Sequence, residues 1–178
     1  MKLTRILSAI AVGLFSLISL KAEDRPNIVF FLVDDLGWSD VGCNGSPFYD
    51  TPHIDQLAAE GVRFTSAYAA CHVCSPTRAS ILTGKYPATL NLTDWLNGRS
   101  DRPYQVLKNP DKAMALDSAE TTLAEALKKE GYATALFGKW HLGRDTTPTG
   151  HGFDVHVPYS VNSNLGRRGF HNPKDIPG

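Results

Sequence analysis

At 178 residues the chain has the length of about one domain, and 42% hydrophobic residues give it the means to bury a core. Its 18 Lys and Arg balance 18 Asp and Glu. That balance excludes the one-sided basic surface that draws proteins to nucleic acid.

Lys2 and Arg5 precede an apolar run from Ile6 to Leu20, and Lys21-Ala22-Glu23-Asp24 follows. Charge, then apolar run, then a small residue predicts a secretory signal peptide over 1–22, hence an exported, periplasmic or extracellular protein. The run falls short of the ~20 apolar residues of a stable membrane span. Residues 23–178 then form the mature chain.

Asn27 to Val33 is nearly all apolar and rich in β-branched and aromatic residues, which predicts a strand buried on both faces of a parallel sheet. Asp34 and Asp35 fall at its C-terminal edge, where open α/β sheets bind ligands. Thr51 to Gly61 reads as a helix, with Thr51 capping, Pro52 in the first turn and Gly61 closing it. Val62 to Tyr68 suits a short strand, and Arg78 to Thr83 the start of a helix. Asn91 to Lys112, with Gly98, Pro103 and Pro110, reads as a long surface excursion. Thr122 and Glu125 have capping-box spacing before a helix that Gly131 stops. Tyr132 to Phe137 is then a buried strand that delivers Lys139 and His141 to another edge. Beyond Arg144 the pattern fades. The order predicts an α/β fold with a mainly parallel sheet flanked by helices.

Several residue groups could carry chemistry. Cys71-His-Val-Cys74 is a C-x-x-C, open to a redox pair, a disulfide or half of a zinc site, with Cys43, His53 or His72 as further ligands. Three cysteines in an exported chain leave at least one outside an internal disulfide. Asp34 and Asp35 would be costly to bury without a cation, although an isolated Asp-Asp is more commonly a solvated turn. Lys139 and His141, two apart, share a side of an extended segment.

Four blocks select among these readings. Cys74-Ser-Pro-Thr-Arg78 resembles the C-x-P-x-R signature of sulfatases, and Arg25 to Trp38 resembles the family's opening strand with its metal-binding aspartate pair. Thr83-Gly-Lys-Tyr-Pro87 and Gly138-Lys-Trp-His-Leu-Gly143 resemble two further segments of that family, in the same order. Thr77 stands where many relatives carry serine.

The resemblance covers about residues 25 to 155 and implies an alkaline-phosphatase-like fold. It implies that Cys74 is oxidised to the aldehyde formylglycine by a formylglycine-generating enzyme or an anaerobic sulfatase-maturating enzyme. One hydroxyl of the hydrated aldehyde attacks sulfur and the other later expels sulfate, dividing one hard displacement into two. Arg78 would face the hydrate and Lys139 a sulfate oxygen, while His141 accepts a proton on elimination. Asp34, Asp35 and residue 74 would ligate one calcium ion. The implied substrate is a sulfate ester, such as a sulfated glycan; related phosphonate and phosphodiester hydrolases use the same modified cysteine. Sulfatases are much longer, and the family's later metal and leaving-group residues have no counterpart after His141. The sequence thus reads as an N-terminal, truncated part, inactive by itself.

Overall fold

The computed structural model describes residues 25–158; the signal-peptide segment 1–22 lies outside them. They belong to two compact units divided after Thr51. In the first, short 3-10 turns at Trp38–Asp40 and Gly42–Asn44 follow an irregular segment. The Gly42 amide donates to Thr51 Oγ1 at 2.8 Å, and Val41 is buried.

Asn27 to Val33 does not form the buried strand that its composition predicts. It belongs to no strand, and its side chains face solvent, Phe31 with 82% exposure. A strand exists only within a ladder, and residues 25–51 contain no second strand to pair with.

The second unit begins with helix α1, Pro52–Glu60, at the predicted position; Gly61 N–H closes it on Leu57 O at 3.0 Å. Val62 to Tyr68, expected as a strand, is irregular and exposed. Helix α2, Cys74–Thr83, starts four residues earlier than the sequence suggests, because Val73 is extended and Thr77 Oγ1 ties the first turn to Cys71 O at 2.7 Å. It ends at Gly84, whose φ of 69° favours glycine. Helix α3, Leu123–Lys129, shows the predicted capping box: Glu125 N–H donates to Thr122 Oγ1 at 3.2 Å, and Thr122 N–H to Glu125 Oε2 at 2.7 Å.

Strand β1, Ala135–Gly138, pairs in parallel with β2, Val155–Pro158, in the register Ala135 to Val155. The predicted strand is therefore present, though shorter and half-exposed rather than buried: Phe137 is 74% exposed. The patternless tail supplies its partner. Parallel pairing requires a crossover, and residues 139–154 make it, turning at the 3-10 segment Thr149–His151.

The core is Ala79, Leu92, Leu96, Leu116, Trp140 and Leu142, with Leu82, Leu90, Leu136 and Phe153 packed on it. Leu92 and Leu96 correct the reading of Asn91–Lys112 as a surface excursion. The segment lacks regular structure because its Gly and Pro break any period, yet two leucines anchor it, each worth ~1.5–3 kcal/mol on full burial. Gly143, at φ 128°, passes so close to Ala115 that a Cβ there would lie 2.6 Å from the Ala115 Cβ.

Candidate active site

Cys74 opens α2, and its neighbours Ser75 and Pro76 turn into the protein with Ala79. Burial of that face leaves Cys74 half-buried on the adjoining side, and Arg78, one turn on, shares its side of the helix. Across from α2 the segment after β1 alternates. Trp140 and Leu142 enter the core, and His141 between them is held out toward α2.

Two contacts join these elements. Cys74 Sγ lies 3.1 Å from His141 Nδ1, and Arg78 Nη1 donates to Lys139 O at 2.7 Å. His141 Nε2 lies 3.3 Å from Leu96 O. A carbonyl oxygen only accepts, so Nε2 carries a proton and, in the neutral ring, Nδ1 turns its lone pair to residue 74.

The expectation that Lys139 and His141 share a side of an extended segment needs correction. β1 ends at Gly138, and His141 has φ 59°, the left-handed region. A histidine there costs on the order of 1–3 kcal/mol, a strain that persists where surrounding structure imposes it. Here the imposing structure is the burial of Trp140 and Leu142 on either side, with Leu116 N–H bound to Leu142 O at 2.9 Å.

Asp34 and Asp35 lie in the first unit, both exposed, and Asp35 also has a positive φ, 59°. Hard carboxylate oxygens suit calcium in kind. Among the described residues no group of three or more His, Cys, Asp or Glu forms a ready-made metal cluster. Two carboxylates supply only part of the ~6–8 oxygens calcium takes.

The C-x-x-C alternative finds a different arrangement. Cys71 and Cys74 are free thiols, with Cys71 Sγ 3.8 Å from His72 Nδ1 while Cys74 faces His141. Among the other histidines, His151 is the one the sequence undervalued. It is 2% exposed, its ring centroid is 5.5 Å from Trp140, and its carbonyl accepts from Thr122 Oγ1 at 2.7 Å. Its signal was the following Gly152, at φ 95°, whose missing side chain lets the Glu125 backbone approach.

Comparison with known proteins decides what this arrangement belongs to. Residues 26–174 match the family Sulfatase. The chain is a member of the sulfatase family. It is 41% identical to mouse N-acetylgalactosamine-6-sulfatase over 148 residues, 82% of this chain and 28% of that relative. The matched curated sulfatases are thus several times longer than the stretch they share with it.

Solved structures agree on the alkaline-phosphatase-like α/β fold. One, described under metabolism of multiple glycosaminoglycans by Bacteroides thetaiotaomicron, aligns with TM-score 0.63 and 36% identity over 76% of this sulfatase chain and 28% of its own. Another, a complex with its substrate D-glucosamine-2-N,6-O-disulfate, aligns with TM-score 0.61 and 33% identity, covering 78% of this chain and 24% of the other. Among the described residues no helix is long and apolar enough to cross a membrane.

Proposed function

We propose that the protein hydrolyses a sulfate ester to an alcohol and inorganic sulfate, and that residue 74 acts as formylglycine. The 3.1 Å approach of His141 Nδ1 to Cys74 Sγ carries this reading, because it places a ring nitrogen where a proton must leave the group on residue 74. The aldehyde hydrate would supply one hydroxyl to attack sulfur and a second to release sulfate.

The remaining work falls to the chain's own side chains. His141 receives the proton on Nδ1 while Nε2–H stays on Leu96 O. Arg78, fixed at one corner by Lys139 O, brings a permanent positive charge to the same helix face as residue 74. Lys139 adds a point charge for a sulfate oxygen. Asp34 and Asp35 would hold calcium, which supplies charge neutralisation when bound.

A sulfated sugar is the substrate class we favour, since the structural relative bound to D-glucosamine-2-N,6-O-disulfate shares 33% identity. Export through the segment 1–22 and maturation by a formylglycine-generating or anaerobic sulfatase-maturating enzyme belong to the same reading. So does inactivity of the 178-residue chain alone, supported by the solvent exposure of Ile28 to Val33. Co-expression with a formylglycine-generating enzyme and assay on aryl sulfate and aryl phosphate tests the whole. Sulfate turnover by a full-length sulfatase that carries these residues, and none by the 178-residue chain alone, is the expected result. Preference for phosphate would overturn the sulfur assignment.

A further inference from the structure

We propose that the turn Asp94–Gly98, clamped by Lys112, is a positioning element that fixes the His141 ring with its proton on Nε2. This rests on the reading of His141 as the proton acceptor for residue 74, and it concerns what holds that ring.

The connections form a closed circuit. Ser75, bonded to Cys74 and wholly buried, accepts the Leu96 N–H on Oγ at 3.0 Å. The Leu96 carbonyl faces His141 Nε2 at 3.3 Å, and His141 Nδ1 returns to Cys74 Sγ at 3.1 Å. One residue therefore reports the position of α2 through its amide and sets the ring through its carbonyl, in two successive peptide planes joined at the Leu96 Cα. Leu96 itself is 4% exposed, so the backbone carrying both groups is anchored by its own side chain.

Lys112 holds the Trp95–Leu96 peptide, the one that carries the Leu96 amide, from the other side. Its ammonium donates to Trp95 O at 2.6 Å and pairs with Asp94 Oδ2 at 3.4 Å, and its side chain is only 9% exposed. Burying an ammonium is costly unless its hydrogens are satisfied, and here two of its partners are the residues just before Leu96. Asn97 and Gly98, at φ 71° and 63°, then reverse the chain, with Gly98 N–H closing on Trp95 O at 2.9 Å. A Cβ on Gly98 would lie 2.7 Å from Lys112 Nζ. A side chain at Gly98 would have to push the lysine's end aside, and the φ of 63° favours glycine in any case.

A fixed proton matters because a neutral imidazole that turns its N–H to residue 74 cannot take a proton from it. Lys112 and Ser75 touch no reacting atom, so both act as positioning residues.

Ring nitrogen-15 spectra of the full-length protein in its unmodified Cys74 form test the arrangement without turnover. We expect His141 as the Nε2–H tautomer, with the other tautomer rising in Ser75→Ala and Lys112→Met. An Nδ1–H ring in the wild type, or spectra unchanged in both variants, would overturn the proposal even if sulfatase activity is found. Absence of sulfatase activity would leave this readout intact, which separates the two failures. In the activated enzyme Lys112→Met should lower kcat about tenfold with KM within about twofold. Lys112→Arg should restore most of it. A loss confined to KM, or no recovery with arginine, would contradict a positioning role.

Discussion

The two sets of residues that the family pattern marks are supported in opposite ways. Cys74 and His141 sit on a frame of buried leucines, a tryptophan and a circuit of hydrogen bonds, all supplied within residues 74–142. Asp34 and Asp35 follow an apolar run whose side chains face solvent, with no strand beside it in residues 25–51. Two facing side chains such as Cys74 and His141 can thus be placed by local packing. A carboxylate pair at a strand edge depends on the sheet that makes the edge.

That contrast can be broken first at Cys74, the proposed nucleophile. Cys74→Ala in the full-length, co-expressed protein should lower kcat/KM on an aryl sulfate by at least about a thousandfold, since no other group there can be oxidised to the aldehyde. Residual turnover near the wild-type level would remove Cys74 from the chemistry. Next, Leu92→Ala should destabilise the frame by ~2–5 kcal/mol, read as a lowered denaturant midpoint. Leu92 is fully buried although it lies in a segment without regular structure.

The aspartates sharpen the comparison from the other side. Asp35→Asn should reduce bound calcium and activity by at least about tenfold while leaving the His141 ring spectrum unchanged. A shifted ring spectrum would show that the two groups share one support.

A smaller effect is expected at Asp154. A hydrogen bond from Lys128 at 2.5 Å, then one from the Thr134 amide at 2.9 Å, holds its carboxyl below the usual range. A lowered folded value means the stabilisation is present above the ordinary carboxylate pKa and fades as pH falls through the lowered one. Asp154→Asn should therefore narrow the stability difference between neutral and strongly acidic pH, only slightly, because the pair is exposed.

The candidate site residues could be picked out because their pattern is written locally. Cys74 and Arg78 are one helical turn apart, and Thr122 with Glu125 announces α3 by hydrogen-bonding capacity alone. Asn27 to Val33 misled because composition records what a segment could bury, whereas strand formation depends on a neighbour. The role of Leu96 was invisible for a different reason. Its contribution is a backbone carbonyl, which every residue has, brought to His141 by a turn whose Asn97 and Gly98 look from sequence like ordinary loop punctuation. Likewise β2 arose in a stretch without periodicity, since four residues suffice once β1 provides a ladder.

The central claim is that residue 74 works as an aldehyde beside a histidine that takes its proton. Mass measurement of the tryptic peptide containing residue 74, from protein made in a host with the modifying enzyme, tests it most directly. An aldehyde mass is the predicted result; an unmodified thiol, or a peptide disulfide-linked through Cys71 and Cys74, would contradict it.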